Sequence, residues 1–147
     1  MALSKTWFFD IDGTLVKHQT NPDIDDGVEE TLLPYTQQFV NKLYEDGHFI
    51  ILTTARWESQ RPQTVEMLEE FNFKYHQLIM GIGSGERIVV NDIKPVGLEI
   101  DDNILDRPVP TAYAINVVRD KGFANILTHE FWNKPLSSVA KVWELIW

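Results

Sequence analysis

Two aspartates flank a single residue in the run Phe8-Phe9-Asp10-Ile11-Asp12-Gly13-Thr14. At the end of an apolar, extended segment their carboxyls repel each other unless a cation or a shared proton intervenes. A hard cation with oxygen ligands resolves the conflict, and magnesium commonly takes one or two carboxylates together with substrate phosphate. Gly13 lets the backbone turn sharply beside a ligand, and Thr14 offers a hydroxyl to hold the loop. An isolated Asp-x-Asp more often marks a capped turn. The whole pentad, directly after an apolar strand, favours a ligand site instead. Thr54 and Asp92 also close apolar runs, so three polar positions follow three expected strands.

The elements that must position them follow from periodicity. Trp7 to Ile11 reads as a buried strand, and His48 to Thr54 as a second. Between them Tyr35, Phe39 and Leu43 fall on one helical face, with Gly47 where a helix stops. Pro62 opens another helix with Val65, Leu68 and Phe71 inward and Asn72 near its end. Tyr75 to Met80, Arg87 to Val90 and Thr111 to Val118 read as strands three, four and five. A last helix follows Pro135, with Leu136, Val139, Trp143 and Ile146 on one side. Alternating strands and helices imply an α/β fold: one Rossmann-like, mostly parallel sheet with helices on both faces. In such sheets ligands bind beyond the carboxyl ends of the strands, where Asp10, Thr54 and Asp92 converge.

Asp10-Ile11-Asp12-Gly13-Thr14 resembles the first motif of the haloacid dehalogenase superfamily, which consists mostly of phosphatases. Thr54, in Leu52-Thr53-Thr54-Ala55-Arg56, resembles the second motif, and Asp92, in Val89-Val90-Asn91-Asp92, the fourth. The similarity covers residues from about 5 to 122. It implies a two-step reaction through an aspartyl phosphate, with Asp10 as nucleophile and Asp12 as general acid and then base. An aspartate at position 12 favours phosphate esters over dehalogenation or phosphonate cleavage. The resemblance further implies magnesium held by Asp10, the backbone carbonyl of Asp12, and Asp92. Thr54, with the backbone around Gly13, Thr53 and Ala55, would bind the transferring phosphoryl group.

The third motif departs from the family, because Ile82 stands where its lysine is expected. Lys94 is the preferred replacement, and Arg87 is the other. If Lys94 is itself the third motif, Ile100-Asp101-Asp102 becomes the fourth, although residues 97 to 110 read as a surface insertion. Arg56 either reaches a substrate phosphate or sugar, or makes a surface salt bridge. The Gly81-x-Gly83-x-Gly85 run is a flexible connection rather than a phosphate loop. His18, His48, His76 and His129 lack metal-ligand spacing and read as structural, and Trp132, Trp143 and Trp147 as packing.

The chain has 147 residues, 44% hydrophobic and 24% charged, which suits a single domain, 1–147. Its net charge of −9 opposes nucleic-acid and anionic membrane partners. A small phosphorylated substrate stays compatible, because a metal ion reverses the local field. Without cysteine, any metal must sit on oxygen or imidazole. No apolar run spans a bilayer and no signal peptide is evident, so the cytoplasm is the expected location. No cap domain is expected, since only a polar loop of residues 16–31 precedes the first helix. Capless relatives either accept large substrates in an open cleft or take a lid from a second copy in a homo-oligomer. A phosphosugar or similar small phosphomonoester is the expected substrate.

Two other classes of function remain open. Receiver-like phospho-acceptor domains place their aspartate after the third strand, where this chain has Leu78-Ile79-Met80-Gly81. A degenerate binding module of the same fold is compatible with Ile82, and turnover of a phosphate ester separates it from an enzyme.

Overall fold

The computed structural model describes residues 3–127. They gather into two compact units: Lys5–Glu86 with Val117–Ala124, and residues 3–4, 87–116 and 125–127. The expected helix after Pro135, His129 and the three C-terminal tryptophans lie outside the described residues.

The first unit is built on a three-stranded parallel sheet in the order β1 (Thr6–Asp10), β2 (Phe49–Thr53), β3 (Gln77–Ile79). Asp10 is in register with Thr53, and Thr53 with Ile79, so the three carboxyl ends are level. A short helix α1 (Asn21–Asp25) and the longer α2 (Thr36–Glu45) connect β1 to β2. A 3₁₀ turn at Glu58–Gln60 and α3 (Arg61–Glu70) connect β2 to β3. The sheet is therefore the α/β arrangement that alternating periodicity implies.

The core forms where the apolar faces meet. Trp7 and Phe9 stack at 5.8 Å between centroids, and Phe39 of α2 meets both edge-on. Phe123 completes the cluster at 5.3 Å from Phe39. Phe39 and Phe123 are fully buried, so truncating either to alanine should cost about 3–5 kcal/mol. Phe123 reaches this core because its amide donates to Pro34 O at 3.0 Å. Gly122 (φ +71°) permits the approach, since a Cβ there would collide with the Pro34 backbone.

Helix ends follow local chemistry. Thr20 and Asp23 form a capping box on α1. Asn72 ends α3 in the left-handed conformation, φ 58°. On α3, Thr64, Met67 and Leu68 are buried while Val65 and Phe71 are only half-buried. The inward stripe is thus rotated from the one the apolar residues alone suggest, because Thr64 has a hydrogen-bonding task described below. His48 and His76 are structural, each accepting a backbone N–H at Nδ1: from Lys5 at 3.0 Å and from Ile50 at 2.9 Å.

The second unit corrects two expectations. Residues 87–90 form no strand, and Ile88 and Val90 are 84% and 92% exposed. Residues 111–118 form none either. Both runs have strand-forming composition, but a strand exists only through its ladder, and neither run forms one. Instead β4 (Glu99–Ile100) and β5 (Asn103–Ile104) form a hairpin. Its turn residues Asp101 and Asp102 have φ of 50° and 62°, the double left-handed geometry of a type I′ turn. Leu3, Leu105 and Val109 make a small core beneath Leu98 and Ile100.

Candidate active site

Asp10 ends β1, and the chain folds back at once. The Ile11 carbonyl accepts the amides of Thr14, Leu15 and Val16 at 3.2, 2.9 and 3.2 Å. Gly13, at φ +84°, donates to Val16 O at 2.7 Å. The turn therefore closes through the carbonyls of Ile11 and Val16 and not through that of Asp12. Thr14 Oγ1 donates to Asp10 Oδ2 at 3.1 Å, which fixes the rotamer of a half-buried carboxylate. Ile11, Leu15 and Val16 are fully buried, so apolar anchors on both sides hold the polar turn in place.

Asp12 points into a different environment. Arg56 Nε donates to its Oδ2 at 2.9 Å and Nη2 to its Oδ1 at 2.8 Å, a bidentate pair. Nη1 donates to Glu30 Oε2 at 3.1 Å, and Nη2 also meets Glu30 Oε1. The remaining Nη1 hydrogen goes to Thr64 Oγ1 at 3.1 Å, and that hydroxyl donates to Gln60 O at 2.9 Å. All five guanidinium donors are thereby used inside the protein. The Arg56 side chain is 1% exposed, and Asp12 and Glu30 only 15% and 14%. Burial works against the Arg56 charge, but the hydrogen bonds and charges of Asp12 and Glu30 outweigh it and raise its pKa. The Arg56 ion pair is buried rather than on the surface.

Thr54 lies one residue beyond β2 and is fully buried. Its amide donates to Ile79 O at 3.0 Å and its carbonyl accepts from Ile82 at 3.2 Å, so the backbone is locked to the end of β3. The Thr54 hydroxyl accepts the Arg56 amide at 3.0 Å, which leaves its own proton to donate. Thr53 Oγ1 donates to Phe9 O at 3.4 Å, tying β2 to β1 just before the Asp10–Thr14 loop.

The same unit thus brings together Asp10, Asp12, Gly13, Thr53, Thr54, Ala55 and Arg56. Arg87, Asp92 and Lys94 belong to the other unit. There Lys94 and Asp92 form an ion pair, and the Lys94 hydrogen bond holds the exposed Asp92 carboxyl below its usual range. Asp101 and Asp102 are exposed turn residues. Among the described residues, no three His, Asp or Glu side chains gather closely enough to cage a metal ion. Asp10 and the Asp12 carbonyl nevertheless suit a hard cation that draws its other ligands from water and substrate.

Three features escaped sequence reasoning. Glu30 and Thr64 complete the Arg56 clamp, and nothing in their local sequence marks them. Segment 117–124 returns to the Asp10–Thr14 loop: Asp120 N donates to Gly13 O at 2.9 Å, and Asp120 Oδ1 accepts from His18 N at 2.8 Å. That return lays the Arg119 stem against Gly13, with Cγ 3.0 Å from where a Cβ would stand.

The family model for haloacid dehalogenase-like hydrolases matches residues 7–92. No curated protein and no solved structure matches the chain. The matched span includes Asp10, Asp12, Thr54, Arg56 and Asp92.

Proposed function

The chain belongs to the haloacid dehalogenase-like hydrolases, and we propose that within them it is a magnesium-dependent phosphomonoester hydrolase. The observation that carries this reading is the division of labour between two neighbouring carboxylates. Asp10 is held by a neutral hydroxyl, and Asp12 by a buried guanidinium.

In the first step an Asp10 carboxylate oxygen bonds to phosphorus, and the ester oxygen departs with a proton from Asp12. In the second step Asp12 takes a proton from water, the water oxygen bonds to phosphorus, and phosphate leaves Asp10 regenerated. Thr54 donates a hydrogen bond from its hydroxyl to a phosphoryl oxygen, beside the amide of Ala55. Magnesium, when held by Asp10 and the Asp12 carbonyl, would screen the repulsion between carboxylate and phosphate.

The substrate class proposed is a small phosphorylated metabolite such as a phosphosugar, met in the cytoplasm. The net charge of −9 is compatible with it, because a bound metal ion reverses the local field. Among the described residues, no helix is long and apolar enough to cross a membrane. A second copy of the chain is the proposed lid. Phosphate release from a generic aryl phosphate, with magnesium and with chelator, tests the reading.

A further inference from the structure

A planar guanidinium with two occupied edges is a rigid link between its partners. Arg56 presents the Nε/Nη2 edge to Asp12 and the Nη1/Nη2 edge to Glu30. Fixing one carboxylate therefore fixes the plane in which the other is held. Glu30 sits at the end of loop 16–31, which is itself well anchored. Lys17 N donates to Thr31 O at 2.9 Å, and Leu33 N to Leu15 O at 3.1 Å. Gln60 Nε2 donates to Asp25 Oδ1 at 3.0 Å, joining α1 to the turn before α3.

We propose that Glu30 is a positioning residue for the hydrolytic reaction, acting on Asp12 through Arg56. Loop 16–31 is then part of the catalytic apparatus rather than a passive cover. This inference rests on the phosphatase reading for its chemistry. During turnover the Asp12 carboxyl alternates between holding and releasing a proton. In its protonated form it surrenders part of its bidentate pairing, and a guanidinium with no other anchor would follow it or swing away. Glu30 and Thr64 retain three of the five N–H groups, so Arg56 stays where the returning carboxylate meets it again. Lysine in place of Arg56 keeps the charge but cannot serve two carboxylates in one plane.

The test compares Glu30→Gln and Arg56→Lys with wild type and with Glu29→Gln, a change at the exposed neighbour. Two readouts are taken. The first is turnover of an aryl phosphate, whose leaving group needs no proton, against an alkyl phosphate, whose leaving group does. The expected result is an extra loss of about tenfold on the alkyl ester for both variants, a fraction of what general acid help contributes. The second readout is amide hydrogen exchange over residues 17–31, expected to speed up in both variants and to be unchanged in Glu29→Gln. Equal losses on the two esters, or none, would overturn the positioning role. Unchanged exchange would overturn the link to the loop. If wild type releases phosphate from neither ester, the phosphatase reading falls, and the exchange measurement still decides the structural link.

Discussion

The guanidinium of Arg56 meets both carboxylate oxygens of Asp12, Nε at 2.9 Å from Oδ2 and Nη2 at 2.8 Å from Oδ1. The two residues are separated by 43 intervening positions in sequence, yet the level ends of β1 and β2 bring them together. This geometry gives Asp12 one orientation, whereas Asp10 accepts a hydrogen bond from the neutral hydroxyl of Thr14.

Asp12→Asn should therefore separate chemistry from architecture. The amide oxygen still accepts one Arg56 bond, and Glu30 still pairs the buried charge, so the fold survives with a lowered melting temperature. Losing one partner of a buried ion pair costs about 3–5 kcal/mol when nothing replaces it, and here the loss should be smaller. Turnover should fall about a hundredfold or more on an alkyl phosphate and much less on an aryl phosphate. Steady-state kinetics on the two esters check this, and equal losses would refute the assignment of Asp12 as acid.

The metal assignment makes a second prediction. Chelator should abolish activity and calcium should fail to restore it, because calcium prefers more ligands at longer distances. Phosphate release followed across a magnesium titration, with chelator and with calcium, checks this.

The pH dependence of stability should carry a histidine contribution. Burial, and then the Lys5 charge, lower the pKa of His48 from its ordinary 6.5, against a smaller opposing pull from Asp46. The bond from Lys5 N to Nδ1 also requires the neutral ring. Between the lowered folded value and 6.5 the unfolded chain binds more protons, so stability rises with pH there and is lost as pH falls below about 6.5. His48→Asn keeps an acceptor and removes the titration. Denaturant melts from pH 5 to 7 should show a flatter slope for the variant, and identical slopes would contradict the burial argument.

What was legible in the sequence was local. β1, β2, α2 and α3 announce themselves through apolar periodicity, Gly47, Pro62 and Asn72. The Asp10-to-Thr14 turn does so through residue types that only that backbone path suits. The runs at 87–90 and 111–118 misled because their composition records strand propensity, whereas pairing depends on partners elsewhere in the chain. Glu30 was illegible for a related reason. It looks like one acidic residue in a polar loop until Arg56, 26 positions away, is placed beside it. Arg56 shows both a substrate contact and a surface salt bridge as roles in sequence, and nothing local in it marks its ion pair as buried.

Asp10→Asn, assayed for phosphate release from an aryl phosphate in saturating magnesium, bears most directly on the phosphatase mechanism. The side chain is nearly isosteric and Thr14 can still donate to the amide oxygen, so circular dichroism and melting temperature should match wild type closely. Turnover should fall at least about a thousandfold, because the nucleophile itself is lost. Phosphate release from a folded Asp10→Asn protein within tenfold of the wild-type rate would contradict an aspartyl phosphate at Asp10.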